Sequence, residues 1–246
     1  MVKLDSTAQS TVAAAAAPLP SLTAIIPVYN EVATIRAVLQ AVKAVPVVTQ
    51  VVVVDDCSTD GTAEALDAAA AGDPRLTVVH HPRNRGKGAA IVTGLRHATS
   101  EVVVIQDADL EYEPCQFADL LRVVHAERAP VVYGSRFRGT IEGMRFPNYL
   151  ANRILTLAAN LLFRARITDE ATCYKMFRRE VLRDIPLHAQ RFDFCPEVTA
   201  KVLRRGYRIR EVPIRYRART VTEGKKIRWT DGVEALWALI KYRFVD

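Results

Sequence analysis

Short apolar runs alternate with segments of helical periodicity along the first half of the chain. The runs are bounded by turn-forming residues and predict strands at residues 24–26, 51–54, 76–80, 102–105 and 131–133. Between them, apolar residues recur three or four positions apart and predict helices at residues 32–42, 62–71, 89–98 and 114–124. Asn30 is a candidate N-cap for the first helix. Strands and helices that alternate in this way indicate a parallel, doubly wound sheet.

The second half of the chain is less regular. It predicts a helix at residues 149–163, strand-like segments at residues 172–177 and 209–216, and a terminal amphipathic helix. A capping box from Asp231 to Glu234 opens that helix. Its predicted apolar face consists of Val233, Leu236, Trp237 and Ile240. The whole pattern predicts an α/β fold class, with one domain at residues 22–246 behind a flexible leader at residues 1–21.

The composition supports one domain with a substantial core, because half of the 246 residues are apolar. The four cysteines are Cys57, Cys115, Cys173 and Cys195, and no two of them form a Cys-x-x-Cys pair. This spacing argues against a zinc site or a disulfide scaffold and favours a reducing cytoplasm. No run of about 18 apolar residues occurs, so no segment is predicted to cross a bilayer.

The net charge of +7 is concentrated in the second half of the chain. Beyond Arg136 the basic residues include Arg204, Arg205, Arg208, Arg210, Arg215, Arg217, Arg219, Lys225, Lys226 and Arg228. Such a patch attracts phosphates on nucleotides, lipid headgroups or nucleic acid, although part of it is ordinary solubilising surface. Nucleic acid is not an expected partner, because the patch lacks the interleaved aromatic residues of a single-strand platform and contains no recognition-helix motif.

Asp107, Ala108 and Asp109 follow the apolar run at residues 102–105, with only Gln106 between. They should therefore lie where a buried parallel strand ends, which is the edge at which open α/β sheets bind ligands. Two aspartates separated by one small residue suit a hard divalent cation such as Mg²⁺, which keeps few protein carboxylates and fills its sphere with phosphates and water. The alternative is a pair of solvated turn residues.

Three further motifs follow predicted strands. The segment from Pro27 to Glu31 suits a base and ribose, or else a helix-capping turn. The segment that begins at Asp55 offers a carboxylate to a base N–H or a ribose hydroxyl. In the segment Arg85-Gly86-Lys87-Gly88, the glycines allow close approach of the backbone and the lysine reaches a phosphate. Neither a Gly-x-Gly-x-x-Gly fingerprint nor a Walker lysine loop occurs, which argues against a dinucleotide oxidoreductase or an ATPase.

Taken in order, these motifs resemble the family 2 inverting glycosyltransferases of GT-A fold. The motifs are Pro27-x-Tyr29-Asn30-Glu31, Asp55-Asp56-x-Ser58-x-Asp60-Gly61-Thr62, Gly86-Lys87-Gly88, Asp107-Ala108-Asp109 and Gly134-Ser135-Arg136. In the second half, Asp169-x-x-Thr172-Cys173-Tyr174-Lys175, Arg210-Glu211-Val212-Pro213-Ile214 and Arg219 with Glu223-Gly224-Lys225-Lys226 extend the likeness. Within this family, the chain is more similar to the branch that contains dolichol-phosphate mannose synthase and the bacterial polyprenyl-phosphate sugar transferases.

The resemblance implies a role for each motif on a Rossmann-like, mostly parallel sheet, with a nucleotide-sugar-binding half at residues 22–135 and an acceptor-binding half at residues 136–246. The implied donor-binding residues are Pro27, Tyr29, Asn30, Glu31, Asp55, Asp56, Lys87, Asp107 and Asp109. The implied ligands of Mg²⁺ or Mn²⁺ are Asp107, Asp109 and Glu111. The residues implied to meet the acceptor phosphate or the donor diphosphate are Arg136, Arg219, Lys225 and Lys226. The implied catalytic residues are Asp109, Asp169 and Arg136.

The implied reaction moves a hexose from a nucleotide-sugar of the GDP-mannose or UDP-glucose type to a polyprenyl or dolichyl phosphate. A lipid phosphate is already anionic and needs guiding cations more than a general base. The alternative is a soluble family 2 enzyme with a hydroxyl acceptor, for which Asp169 is the first candidate base and a cap or salt bridge its competing role. Mannose synthases carry Arg and Ser at the start of one helix where this chain has Asn148 and Asn152, beside Arg145 and Arg153.

A lipid acceptor implies a cytoplasmic enzyme that works peripherally at the inner face of a membrane. Its basic second half would be drawn to anionic lipids. The terminal helix could add apolar contact through Trp229, Leu236, Trp237, Ile240 and Phe244. The alternative is that this helix face packs on the sheet.

Overall fold

The computed structural model describes residues 18–219 and 229–245. Its strands are β1 (Leu22–Val28), β2 (Val48–Asp55), β3 (Leu76–His80), β4 (Val102–Ile105), β5 (Val131–Glu142), β6 (Lys175–Arg178) and β7 (Ile209–Arg217). Its helices are α1 (Ile35–Lys43), α2 (Thr62–Ala70), α3 (Lys87–His97), α4 (Phe117–Ala126), α5 (Phe146–Phe163), α6 (Arg179–Arg183), α7 (Phe194–Arg204) and α8 (Trp229–Phe244). A 3-10 turn, Pro114–Gln116, leads into α4.

All seven of these strands form one mixed sheet in the order β3-β2-β1-β4-β6-β5-β7. Strands β3, β2, β1 and β4 are parallel, β6 runs antiparallel to both β4 and β5, and β7 is parallel to β5. This confirms the predicted α/β class, in which a single domain has a mostly parallel sheet flanked by helices. Of the predicted leader, residues 1–17 lie outside the described residues.

The register of the parallel strands brings the motifs that follow β1, β2 and β4 to the same edge of the sheet. Val28 pairs with Asp55, and Ile25 pairs with Ile105. Every residue of β1 and β4 is buried, as expected of strands covered on both faces. The polar segments that follow β1, β2 and β4 therefore emerge together at the carboxyl edge of the sheet.

The predicted N-cap at Asn30 is wrong. Asn30 has a left-handed φ of 52°. Helix α1 begins only at Ile35, behind Thr34, and Val32 is exposed. The reason is tertiary, because the Asn30 side chain bonds to the loop that follows β2 and so cannot cap a helix.

The helix predicted at residues 149–163 begins earlier, at Phe146, because Pro147 lies in its first turn. It packs against α8 through a second apolar cluster, separate from the main core. This cluster contains Leu155, Ala159, Ile167, Ala200, Ala235, Ala238, Leu239 and Tyr242. The buried face of α8 is therefore not the predicted stripe, since Val233 and Trp237 lie on the outside with 58% and 65% exposure. Among the described helices, none combines the length and hydropathy needed to cross a bilayer.

Candidate functional site

The loops that follow β1 and β2 are joined by hydrogen bonds from side chains to the backbone. The Asn30 N–H donates to Ser58 Oγ over 2.9 Å, and Asn30 Oδ1 accepts from the Thr59 N–H over 2.8 Å. The Glu31 N–H donates to Thr62 Oγ1 over 3.0 Å. Ser58, Thr59 and Thr62 look like ordinary turn-forming residues in the sequence. In the structure they hold the loop after β1 against the loop after β2, and both loops are predicted to bind the donor.

Asp55 is buried at the end of β2. Its Oδ1 accepts from the Ser58 N–H over 3.1 Å, and its Oδ2 lies 3.0 Å from His80 Nδ1. His80 Nε2 lies 3.0 Å from Asp67. The hydrogen bond to Asp55 is the main reason why the pKa of His80 is raised, and Asp67 adds to the effect. No sequence motif pointed to His80, whose partners come from β2 and α2.

The raised pKa of His80 predicts a pH-dependent contribution to stability. A group with a raised folded-state pKa stabilises the fold fully below its unfolded pKa, about 6.5, and loses this effect as pH rises through the folded value. We expect His80→Gln to lower the Tm by about 2–4 °C at pH 6 and by less at pH 8.5, since the imidazole is partly exposed and the gain is at most about 1 kcal/mol. Thermal denaturation at both pH values measures this. His97→Gln, whose ring contacts the Thr93 carbonyl, is the control, and an equal loss at both pH values would contradict the prediction.

Asp56 holds the loop that precedes α3. Its Oδ1 accepts from the Arg85 N–H over 2.9 Å and lies 2.7 Å from His81 Nδ1, and its Oδ2 accepts from the Gly86 N–H over 2.6 Å. Gly86 has a φ of +89°, and a Cβ there would lie 2.4 Å from the Gln190 carbonyl oxygen. Contact of Asp56 with a donor stays a prediction. Its observed contacts instead position the start of α3.

Lys87, the first residue of α3, reaches the aspartate pair. Its Nζ lies 2.6 Å from Asp107 Oδ1. Burial alone would lower the pKa of Lys87, but the Asp107 carboxylate outweighs it, and the pKa lies well above its ordinary value. Lys87 is therefore a fixed positive charge beside the predicted diphosphate position.

Asp109 lies among like charges. Burial and the carboxylates of Asp107 and Glu111 raise its pKa to about 7, while Arg219 opposes the rise. Arg219 Nη2 lies 3.3 Å from Asp109 Oδ2, and the same guanidinium donates to both carboxylate oxygens of Glu31 over 3.0 Å. The structure thus brings Glu31, Asp109 and Arg219 together, although the chain separates Glu31 from Arg219 by 188 positions.

Glu111 has partners on and after β7. Its Oε2 accepts from the Tyr216 hydroxyl over 2.7 Å, and its Oε1 accepts from the Arg219 N–H over 2.8 Å. Burial and the nearby Glu111 charge raise the pKa of Tyr216 well above its ordinary value, so its hydroxyl remains a donor. The role of Glu111 as a third metal ligand stays a prediction.

The aspartate pair fits a divalent cation of the Mg²⁺ type. Within residues 18–219 and 229–245, no ready-made group of three or more His, Cys, Asp or Glu side chains surrounds a metal position. Asp107 and Asp109 nevertheless offer hard oxygen donors on partly exposed side chains at the sheet edge. A cation that draws most of its ligands from water and substrate phosphates needs little more.

Arg136 and Asp169 form a buried ion pair on the other side of the site. Arg136 Nε donates to Asp169 Oδ2 over 2.7 Å, Nη2 donates to Oδ1 over 2.8 Å, and the Arg136 N–H donates to Oδ2 over 2.9 Å. Asp169 is fully buried. A carboxylate held in this way is the counter-ion of an arginine, and this geometry favours the salt-bridge interpretation of Asp169 over a general base.

Glu211, which belongs to one of the motifs, and Tyr216, which belongs to none, support this ion pair. Glu211 Oε1 accepts from the N–H groups of Thr168 and Asp169, over 2.8 and 3.1 Å. The Arg136 guanidinium carbon lies 5.1 Å from the centroid of the Tyr216 ring. Because Tyr216 also bonds to Glu111, it links the Arg136 ion pair to the aspartate pair. Of the other predicted phosphate-binding residues, Lys225 and Lys226 lie outside the described residues.

Comparison with known proteins identifies relatives of this chain. Residues 23–186 match the family model of Glycosyl transferase family 2. The chain is 32% identical over 212 residues to an undecaprenyl-phosphate mannosyltransferase of Micrococcus luteus, covering 82% of this chain and 85% of that protein. It is also 32% identical over 211 residues to a polyprenol monophosphomannose synthase of Mycolicibacterium smegmatis, covering 82% and 79%.

Solved structures share the fold at lower identity. Glucosyl-3-phosphoglycerate synthase from Mycobacterium tuberculosis, in complex with phosphoglyceric acid, superposes with a TM-score of 0.71 at 19% identity, covering 92% of this chain and 81% of that one. The same enzyme in complex with Mn²⁺, UDP-glucose and phosphoglyceric acid gives 0.71 at 20% identity, with the same coverage. These matches show the GT-A architecture of the sheet described above.

Proposed function

The chain belongs to glycosyl transferase family 2 and is a glycosyltransferase; we propose that it moves a hexose, with inversion, from a nucleotide-sugar to the phosphate of a polyprenyl lipid at a membrane surface. A divalent cation is the proposed cofactor. The relatives from M. luteus and M. smegmatis support the lipid acceptor by their names. The observation in this structure that carries the proposal is an exposed apolar surface next to Arg136.

This surface, called here the lipid face, is formed by α5 and α8. Its residues are Phe146, Leu150, Ile154, Leu157 and Leu161 on α5, and Val233, Trp237, Ile240 and Phe244 on α8. They are between 37% and 77% exposed, and on each helix they lie opposite the side that packs in the second apolar cluster. Scattered apolar residues on a surface are ordinary, but an exposed apolar stripe along one side of each of two helices indicates an interaction site. Helix α5 carries no acidic residue, which suits an anionic bilayer.

The lipid face adjoins the acceptor side of the site through Phe137. The Phe137 ring packs edge-on against Tyr149 of α5, with ring centroids 5.3 Å apart. The guanidinium carbons of Arg136 and Arg153 lie 5.8 and 5.2 Å from the centroid of the same ring. A lipid phosphate at the height of the headgroups would therefore meet these cations while its isoprenoid chain stays in the bilayer.

The residues on the donor side would hold the leaving group. Tyr29, Glu31 and Asp55 stand at the ends of β1 and β2, where a base and ribose would bind, and Lys87 is fixed beside the diphosphate position. A divalent cation, Mg²⁺ or Mn²⁺, held by Asp107 and Asp109 would supply positive charge against the leaving diphosphate. Asp109 would remain ionised in that environment, since its pKa of about 7 falls when a cation is near.

The acceptor phosphate oxygen would attack the anomeric carbon from the face opposite the diphosphate. The new C–O bond forms as the bond to the diphosphate oxygen breaks, and its electron pair leaves with the nucleoside diphosphate. Arg136 would orient the acceptor, because its Nη1 group has no acceptor among the described residues while Nε and Nη2 are held by Asp169. No general base is needed for an acceptor that is already anionic.

The donor can be identified by thermal shift. We expect one family of nucleotide-sugar, with GDP or UDP, to raise the Tm in the presence of Mg²⁺ or Mn²⁺, because a ligand that binds only the folded state stabilises it by mass action. The shift should disappear in EDTA. A full shift in EDTA would contradict the proposed metal dependence, and no shift with any nucleotide-sugar would contradict the proposed donor site.

We predict that substitution in the lipid face removes membrane binding. The variant with Leu157→Glu and Leu161→Glu should lower partition onto anionic liposomes at least tenfold, because each buried leucine contributes on the order of 1 kcal/mol or more at an apolar interface and each added charge is repelled. Flotation at low and high salt measures this. Leu19→Glu, at an exposed leucine before β1, is the control. Absence of the wild-type protein from the liposome fraction at low salt would defeat the membrane proposal and favour a soluble acceptor.

A further inference from the structure

Arg219 makes close contacts with three acidic residues of the donor side. Its guanidinium donates to both Glu31 oxygens over 3.0 Å and lies 3.3 Å from Asp109 Oδ2, while its backbone N–H donates to Glu111 Oε1 over 2.8 Å. The side chain is 15% exposed. A cation therefore already lies against the carboxylate that the proposed function assigns to a divalent metal.

We infer that Arg219 and the divalent cation compete for Asp109, and that Arg219 turns from this carboxylate to the donor diphosphate when the metal binds. The inference rests on the proposed function and deepens it, since it assigns Arg219 a positioning role in coupling metal to donor. Both oxygens of Asp109 are engaged, because Oδ1 accepts from the Glu111 N–H over 3.1 Å and Oδ2 faces the guanidinium. A metal ion bonded to Asp109 would stand next to Arg219, and the two positive charges repel each other.

Glu31 would keep Arg219 in the site after this exchange. It binds the guanidinium with two hydrogen bonds, and its Oε2 also accepts from Thr34 Oγ1 over 3.0 Å. The Glu31 backbone is fixed in turn by Thr62. Arg219 would thus lose its contact with Asp109 but would stay in the site through Glu31. The oxygens of an incoming diphosphate would replace the lost carboxylate oxygen.

Two opposite effects on metal affinity follow. Without a donor, Arg219 weakens metal binding because it holds Asp109. With a donor, it strengthens the ternary complex because its guanidinium meets phosphate oxygens. Metal and nucleoside diphosphate should therefore bind cooperatively, and the cooperativity should depend on Arg219. A residue that served the fold alone would change both affinities in the same direction.

Titration of Mn²⁺, with free ion followed by electron paramagnetic resonance, tests this in the purified full-length chain. We expect Arg219→Ala to bind Mn²⁺ alone about fivefold more tightly than wild type or better, and to lose most of the tightening that GDP or UDP produces in wild type. Arg219→Lys, which keeps the charge, should stay closer to wild type than Arg219→Ala does. Arg217→Ala, at an exposed arginine two residues earlier at the end of β7, is the matched control and should not differ from wild type.

Asp109→Asn separates failure of this inference from failure of the proposed function. If wild type binds Mn²⁺ through Asp109 but Arg219→Ala binds it equally or more weakly, the competition is refuted while the metal site stands. If Asp109→Asn binds Mn²⁺ as well as wild type does, Asp109 is not the metal ligand, and both the proposed metal site and the inference fail. Thermal denaturation confirms that each variant is folded.

Discussion

Replacing Asp109 by alanine should abolish sugar transfer, by about a thousandfold or more, while leaving the protein folded. The residue is the proposed metal ligand at the edge of the sheet and is not part of the apolar core, so its loss should remove transition-state stabilisation without creating a cavity. Stability should even rise slightly at pH 8. The raised pKa of Asp109 means that its ionised form opposes folding, and this penalty disappears with the carboxylate.

Initial rates of transfer and thermal denaturation at pH 8 together measure both effects. Asp119→Ala, which removes an exposed carboxylate from α4, is the control and should retain activity. Transfer by the Asp109 variant within tenfold of wild type would contradict the assigned role. Vigorous turnover of the wild type in excess chelator would do the same.

The second large effect concerns stability. Asp169→Ala should lower the free energy of unfolding by about 3–5 kcal/mol, because it leaves the buried Arg136 guanidinium without its counter-ion. For a chain of this size, that corresponds to a fall in Tm of roughly 6–20 °C. Arg136→Ala should destabilise by a similar mechanism, with Asp169 as the buried uncompensated charge. Urea unfolding monitored by circular dichroism measures both single variants.

The double variant with Arg136→Met and Asp169→Leu separates stability from activity at this site. Two apolar side chains of similar volume should recover much of the lost stability, since replacing a whole buried pair costs far less than breaking it. Transfer to a lipid phosphate should nevertheless be lost, because the cation proposed to orient the acceptor is gone. A stable double variant that transfers sugar at the wild-type rate would show that Arg136 has no part in acceptor binding.

The strands were the most predictable elements of the fold. The runs at residues 76–80 and 102–105 predicted β3 and β4 to the residue, because buried apolar segments bounded by turn residues leave little choice of end point. The prediction of an N-cap at Asn30 failed because the position of this residue depends on a distant contact and not on local sequence. Its side chain bonds to Thr59, 29 positions away, and local propensity contains no information about such a contact.

For the terminal helix α8, the helical periodicity was predicted correctly, but the side that is buried was not. Val233, Trp237 and Ile240 do share one side of α8, as predicted. The inward side instead carries Ala235, Ala238, Leu239 and Tyr242. Because both sides of the helix carry large apolar residues, hydropathy alone does not decide which side is buried.

For the candidate site, the sequence pointed to individual residues but not to the contacts among them. The motifs, and the resemblance they carry, pointed to Asp107, Asp109 and Arg219. The partners of these residues come from distant parts of the chain, as when Tyr216 bonds to Glu111 across 105 positions. Such pairs depend on the order and register of the strands. Periodicity in the sequence does not reveal either of them here, because β6 lies between β4 and β5 and runs antiparallel to both.

The central claim is metal-dependent transfer to a polyprenyl phosphate, and sugar radioactivity in an organic extract measures it most directly. Labelled GDP-mannose and UDP-glucose would each be offered with undecaprenyl phosphate, phosphoglyceric acid or a free sugar, with Mg²⁺, Mn²⁺ or EDTA. We predict label in the organic phase with one donor, only when the lipid phosphate and a divalent cation are both present. Label that stays in the aqueous phase and moves to a soluble acceptor, with none in the lipid, would contradict the claim.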